Sequence, residues 1–73
     1  MIGNNFIEVT NRAPGTDFHG KKVLINLKWV EEIQEYLEDH AVIYMAFMTP
    51  NSSEQDYIYT VESYEEIKRM LWR

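Results

Sequence analysis

Two histidines, each close to an aspartate, are the residues whose types could bind a metal ion. His19 follows Asp17 with one residue between them, and His40 directly follows Asp39. Zinc sites usually combine cysteine and histidine at short, regular spacings. The chain has no cysteine, and its histidines do not form an H-x-x-x-H pair. We therefore interpret both as surface residues and predict no metal and no cofactor.

The remaining candidates for catalysis are also weak. Glu31-Glu32 and Glu65-Glu66 are paired carboxylates, but their neighbours are polar, whereas a catalytic acid needs an apolar pocket that shifts its pKa. Ser52-Ser53 lacks the G-x-S-x-G context of an activated nucleophile. Gly15 and Gly20 are not followed by the G-K-[ST] of a phosphate loop. The sequence predicts no catalytic residue, no enzyme activity and no small-molecule substrate.

Aromatic residues are a stronger signal than the titratable ones. Core filling accounts for most of them, yet one sheet face carries more aromatic surface than a single helix can cover. Such excess is typical of a contact surface. We predict a partner-binding face built from Tyr44, Tyr57, Tyr59 and Trp29, which would hold a protein partner or a second copy of the chain.

The charge pattern bears on the kind of partner. The formal net charge is −5, and the stretch between Trp29 and Ile67 contains ten acids and no lysine or arginine. Nucleic-acid binding depends on phosphate neutralisation by basic residues, so this composition argues against it. The acids form either a solvated surface or a docking face for a basic partner. A nucleic-acid-associated regulator that uses the basic ends stays as the alternative, and its residues are Lys21, Lys22, Lys68 and Arg69.

Length and composition also bound the setting. The 73 residues predict a single domain, 1–73, with marginal stability. The absence of cysteine favours a reducing, cytoplasmic location. No apolar run is long enough to span a membrane, and the N-terminus lacks the features of a signal peptide.

Most elements can be read from local patterns. Apolar and polar residues alternate over Phe6–Thr10, which predicts a first strand, and a long loop precedes a second strand at Lys22–Leu27. Ala41–Met48 is apolar throughout and of strand length, so both of its faces must be covered. Tyr57–Val61 is a further strand, joined to the preceding one by a polar hairpin over residues 49–56.

The C-terminal segment predicts a helix. Ser63 and Glu66 have the spacing of a capping box, in which each side chain accepts a hydrogen bond from the other residue's amide. Tyr64, Ile67 and Leu71 follow at helical spacing. Acids in the first turn and bases in the last suit the helix dipole.

Residues 28–39 are ambiguous. Leu27, Val30, Ile33 and Leu37 recur at spacings close to those of an amphipathic helix, and Asn26 is a possible N-cap. No glycine or proline ends such a helix. Periodicity alone favours a helix, and a turn followed by a strand is the alternative.

Several segments in order resemble the small FlbD/SwrD-type flagellar and swarming motility proteins. The matching residues are Ile7, Val9, Thr10, Gly20, Lys21, Ile25, Asn26, Trp29, Val30, Ile33, Glu35, Val42, Ile43, Tyr44, Ile58, Val61, Glu62, Ser63, Glu65, Glu66 and Ile67. Two loops differ, since the family usually has a short R-L-N-G turn in place of NRAPGTDFHG and a tight N-G hairpin in place of TPNSSEQD.

The resemblance implies a small cytoplasmic accessory protein that acts through protein contacts. It also implies a turn at Leu27–Glu32 and a strand from Ile33 to Leu37 that pairs with Ala41–Met48. With it, we predict an α+β fold: a five-stranded antiparallel sheet curled toward an SH3-like barrel, closed by one C-terminal helix. The function predicted is a non-enzymatic interaction module, motility-related and self-associating. A ligand-binding barrel interior is the more remote alternative, because the aromatic residues would fill it.

Overall fold

The structure, a computed structural model, describes residues 5–48 and 55–72. Within them, five strands, one short 3₁₀ helix and one α-helix follow in order: β1 (Phe6–Thr10), β2 (Lys22–Asn26), the 3₁₀ helix (Leu27–Trp29), β3 (Val30–Tyr36), β4 (His40–Met48), β5 (Gln55–Thr60) and α1 (Tyr64–Leu71). The chain is therefore α+β with one C-terminal helix among the described residues, as expected. The hairpin predicted over residues 49–56 lies mostly outside them.

The strands form two antiparallel sheets, so the prediction of a single five-stranded sheet is wrong. β1 pairs with β2 along its whole length, and β3, β4 and β5 form a three-stranded meander. Among the described residues, backbone contacts join the two sheets where β1 and β5 end, through the Asn11–Thr60 bridge and hydrogen bonds from Arg12 N to Tyr59 O and from Val61 N to Thr10 O. The SH3-like barrel is also wrong, because this short junction does not extend into a ladder that would close the sheet.

Residues 28–39 do not form a helix. The Asn26 side chain accepts a hydrogen bond from the Lys28 amide at 3.0 Å and caps one turn of 3₁₀ helix, after which the chain enters β3. The turn-plus-strand alternative is confirmed, with the strand starting at Val30 rather than Ile33.

A β-bulge explains why this strand has helix-like spacing. The register between β3 and β4 shifts between Val30 and Glu32, so one extra residue is inserted there. Val30 and Ile33 consequently both pack against the core although they are three residues apart. In a regular strand that spacing would place them on opposite faces.

The core lies between the two sheets and beneath α1. Ile7, Val9 and Ile25 contribute from the hairpin, Ala41 and Ile43 from β4, and Ile67 from the helix, and all are buried. In the register of the meander, Ile33, Ile43 and Ile58 form one row across the three strands. Ile67 of α1 therefore packs in one core with side chains from both sheets.

The capping box of α1 is formed as the sequence predicts. The Glu66 amide donates to the Ser63 hydroxyl at 3.1 Å, and the Ser63 amide donates to the Glu66 carboxylate at 3.0 Å. Glu65 and Glu66 lie in the first turn, and Lys68 and Arg69 in the last. The paired carboxylates at 65–66 thus begin a helix and are both exposed.

The turn between β3 and β4 contains a strained leucine. Leu37 has a φ of 55° and an exposed side chain. This left-handed conformation brings the Cβ of an L-residue too close to the following carbonyl and costs about 1–2 kcal/mol. Asparagine adopts it more readily.

Replacing Leu37 by asparagine should raise the free energy of unfolding by about 1 kcal/mol, because the short amide side chain can hydrogen-bond the local backbone and offset the strain, and little buried surface is lost. Urea denaturation followed by circular dichroism measures the change. Leu37→Ala is the matched control, since alanine also loses the exposed side chain but has no side-chain amide that can hydrogen-bond the local backbone. Equal stability of the two variants would contradict the assigned strain.

Candidate functional site

The face of the three-stranded sheet opposite the core carries a cluster of tyrosines. Tyr44 on β4 is directly opposite Tyr57 on β5, and Val42 is opposite Tyr59. Tyr36 is opposite His40 at the end of the β3–β4 pair. Because paired residues of antiparallel strands point to the same face, the side chains come together. We call Tyr36, Tyr44, Tyr57 and Tyr59 the tyrosine face.

The four rings form a continuous row. The Tyr36 and Tyr59 centroids are 4.4 Å apart, those of Tyr57 and Tyr59 are 5.1 Å apart with nearly perpendicular rings, and those of Tyr44 and Tyr57 are 6.0 Å apart. These separations lie within the range of favourable aromatic pairs. The row also shields Val42, which is only 3% exposed. The apolar outer side of β4 is thus covered by tyrosines of its own and adjacent strands.

The row nevertheless remains open to a partner. Tyr57 is 49% exposed, and Tyr36, Tyr44 and Tyr59 are half-buried. A tyrosine presents a rigid apolar ring together with a hydroxyl that can exchange hydrogen bonds, which makes it common at protein interfaces. The arrangement offers shape and hydrogen bonding to a partner.

The Tyr57 side chain raises the pKa of the Tyr59 phenol above its ordinary value of 10.0, mainly through a hydrogen bond, with burial as the second cause. Because the hydrogen bond with Tyr57 and burial favour the neutral phenol of Tyr59 in the folded state, they stabilise the fold. This stabilisation is fully present below pH 10 and is lost as the pH rises through the raised pKa of Tyr59.

Charged groups lie at both ends of the tyrosine face. The guanidinium of Arg12 is 6.0 Å from the centroid of the Tyr36 ring, and the Arg12 amide bonds to β5 at Tyr59 O. At the other end, Glu32 is opposite Tyr44 in the register, and its carboxylate accepts a hydrogen bond from Gln34. The face therefore has a positive end and a negative end.

The structure brings together three of the four residues predicted for partner binding. Tyr44, Tyr57 and Tyr59 lie in the row, whereas Trp29 lies in the 3₁₀ helix with Lys28 at 5.7 Å from its ring centroid. Among the described residues, no ring pair joins Trp29 to the tyrosines. Its half-exposed side chain is a separate surface feature.

Sequence reasoning missed Tyr36 and Arg12 as members of this surface. A helix over residues 28–39 would place Tyr36 close to its apolar side, whereas β3 places it beside Tyr59. The alternation of Glu32, Gln34 and Tyr36 is the signal that could have found it once residues 30–36 are taken as a strand. Arg12 carries no such local signal, because its position depends on the junction between β1 and β5.

The other candidate residues remain dispersed. The His19 imidazole accepts a hydrogen bond from the Ala13 amide at 3.0 Å, and His40 Nδ1 lies 2.9 Å from Val61 O. Glu31 and Glu32 are exposed on β3. No group of three or more potential metal-binding side chains occurs among the described residues. Ser52-Ser53 lies outside them.

The basic residues of the nucleic-acid alternative also have separate contacts. The Lys22 ammonium donates to the Thr10 hydroxyl at 3.3 Å, whereas the Lys68 ammonium lies between two rings, 6.0 Å from Tyr64 and 5.6 Å from Trp72. Lys21 and Arg69 are exposed. Within residues 5–48 and 55–72, no hydrogen bond or ring contact links the pair at 21–22 to the pair at 68–69.

No protein-family model, curated protein or solved structure matches this chain. Across the described part of the chain, no helix is long and apolar enough to cross a membrane. The geometry of the tyrosine face is therefore the basis on which a function can be proposed.

Proposed function

We propose that the chain is a small non-enzymatic interaction module that associates with a second copy of itself through the tyrosine face. The observation that carries this proposal is the continuous row of four partly exposed tyrosines on an otherwise uncovered sheet face. Tyrosine, together with tryptophan and arginine, contributes most often to the energetic centre of protein interfaces.

The charges at the two ends favour a second copy as the occupant. In a two-fold symmetric pair, each surface patch meets the same patch in the opposite direction. An axis through the middle row, Val42 and Tyr59, brings Arg12 of one copy toward Glu32 of the other, and the reverse. The patch is therefore self-complementary in charge, although the net charge of −5 opposes association at long range.

Replacing Tyr57 by serine should weaken this association by about tenfold or more, because the most exposed ring of the row is removed from the interface. Sedimentation equilibrium and light scattering across a concentration series measure the dissociation constant. Phe18→Ser is the matched control, since Phe18 is an exposed aromatic residue in the loop between β1 and β2. The control variant should associate as the unchanged protein does.

Charge exchange tests the orientation of the pair. Arg12→Glu should weaken association, and adding Glu32→Arg should restore it, because the double variant re-forms both opposite-charge contacts. A strictly monomeric protein at high concentration would overturn the self-association. If neither Tyr57→Ser nor Arg12→Glu changed the association, the interface would lie elsewhere on the chain.

The resemblance to the FlbD/SwrD-type proteins extends the proposal to an accessory role in flagellar motility. Deletion of the gene in its native host should reduce swarming, and the unchanged gene should restore it better than the Tyr57→Ser form. Normal swarming of the deletion strain would remove the motility role and leave the interaction module to the association measurements.

A further inference from the structure

A groove on the other side of β3 is the second surface feature of the chain. It lies between β3 and α1, with a volume of about 260 Å³. Its apolar lining comes from Val30, Ile33, Tyr64, Ile67, Leu71 and Trp72. Most small-molecule sites are larger, at about 300–1,000 Å³. The groove therefore has the size for one or two apolar side chains.

The rim of the groove leaves large apolar side chains in solvent. Trp72 is 75% exposed and Leu71 is 41% exposed at the end of α1. The Lys68 ammonium also lines the groove and stacks between the Tyr64 and Trp72 rings. A partner side chain that enters the groove would cover the aromatic rim and contact the aliphatic stem of Lys68.

β3 supplies a backbone edge beside this groove. It is the outer strand of the three-stranded sheet, and no strand among residues 5–48 and 55–72 pairs with its outer side. An extended segment can add to such an edge with backbone hydrogen bonds and place alternate side chains into an adjacent pocket. An edge strand next to a helix-lined groove combines both requirements.

The charge along β3 selects the occupant. Glu31, Glu32 and Glu35 are exposed on this strand, and Glu38 and Asp39 follow in the turn. Two copies of this edge side by side would oppose like charges, which is destabilising between strands. A segment with lysine or arginine on either side of an apolar residue would instead be attracted.

We infer that the groove between β3 and α1 binds an extended basic segment of a partner protein, with an apolar anchor side chain between Ile33, Ile67 and Leu71. The anchor side chain would fill the groove, the peptide backbone would pair with the outer strand β3, and the basic flanks would meet the acids of β3. This inference concerns a surface that shares Glu32 with the negative end of the tyrosine face but none of its tyrosines, and it goes beyond the proposed self-association.

The probe is a short labelled synthetic peptide with a central leucine flanked by lysines and arginines. Fluorescence anisotropy should show binding at least about tenfold tighter than that of the same peptide with glutamates in place of the bases. Replacing the peptide leucine by serine should weaken binding by a similar factor, because the groove then stays unfilled. Equal affinity for the basic and acidic peptides would overturn the inference.

Variants of the chain locate the site. Glu31→Lys and Leu71→Ser should each weaken binding of the basic peptide by about fivefold to tenfold. The first reverses a charge at the rim of the groove, and the second removes a contact with the anchor side chain. Tyr57→Ser is the matched control and should bind the peptide as the unchanged protein does. Amide shifts in a two-dimensional NMR spectrum should concentrate on β3 and α1; shifts confined to the tyrosine face, or no saturable binding, would also overturn the inference.

Discussion

Replacing Ile43 by alanine is expected to lower the free energy of unfolding by about 3–4 kcal/mol. Ile43 is fully buried in the middle of β4, in one row with Ile33 and Ile58. Isoleucine-to-alanine changes in well-packed cores cost about 2–5 kcal/mol, from lost burial and the cavity that remains. We place Ile43 above the lower end of this range because both sheets and α1 surround this core and limit its collapse.

The effect is large relative to the stability of so short a chain. At roughly 0.05–0.15 kcal/mol per residue, a chain of 73 residues has a total of about 4–11 kcal/mol. Ile43→Ala can therefore remove a third of the stability or most of it. Urea denaturation monitored by circular dichroism and by tryptophan fluorescence measures the change.

Two further variants keep this prediction testable if the alanine form does not fold. Ile43→Val should cost about 1 kcal/mol, since it removes one methylene and leaves a small cavity. Leu24→Ala is the surface control, because Leu24 is an exposed apolar residue on the outer face of β2, and it should change stability by less than about 0.5 kcal/mol. A loss below about 1 kcal/mol for Ile43→Ala would contradict the assigned core.

Replacing Glu62 by alanine should lower the free energy of unfolding by about 2 kcal/mol. The Glu62 carboxylate accepts hydrogen bonds from the Thr10 amide at 2.7 Å and from the Thr10 hydroxyl at 2.8 Å. Bonds to a charged acceptor contribute about 1.5–3 kcal/mol, and an amide left without a partner adds to the loss. The two residues are 52 positions apart in sequence.

The surroundings of Glu62 explain why it holds the two sheets together. Thr60 is fully buried, and its hydroxyl contacts Glu62 O at 2.8 Å and Ala41 O at 3.3 Å. These contacts fix the backbone that leads from β5 into α1, and so aim the carboxylate at the end of β1. Besides these contacts, backbone hydrogen bonds near Asn11 and the shared core join the two sheets.

A double-mutant cycle separates the hydrogen bond of the Thr10 hydroxyl to Glu62 from the bond of the Thr10 amide. Thr10→Val keeps the shape of the side chain and removes the hydroxyl, and its coupling with Glu62→Ala should be about 1 kcal/mol. Glu8→Ala is the matched control, because Glu8 is an exposed glutamate on β1, and it should be nearly neutral. Additive effects of Thr10→Val and Glu62→Ala would contradict the bond between their side chains.

If both proposed surfaces operate, the chain binds a second copy of itself through the tyrosine face and a basic segment of a partner through the groove beside it. The tyrosine face and the groove lie on either side of β3, so β3 contributes to both. The Tyr57→Ser and Leu71→Ser variants separate them, because each removes a contact from one surface only.

Local patterns predicted the elements whose signals lie within a few residues. β1 spans Phe6–Thr10 as expected, and the Ser63–Glu66 capping box begins α1 where the spacing indicates. β2, β4 and β5 differ from the predictions only at their ends. Alternation and capping are interactions between near neighbours, so the order of residues alone specifies them.

The tertiary structure decided three features that local patterns leave open. The bulge near Glu31 turned a helix-like spacing into a strand, and that strand added Tyr36 to the tyrosine face. The split into two sheets, and the bond that connects Glu62 to Thr10, depend on which ends meet after the chain closes on itself. The sequence by itself determined the strands, the helix and the supply of tyrosines. Only the long-range pairing of strands assembled the tyrosines into a surface and left a groove beside β3, because such contacts join residues whose local patterns carry no information about each other.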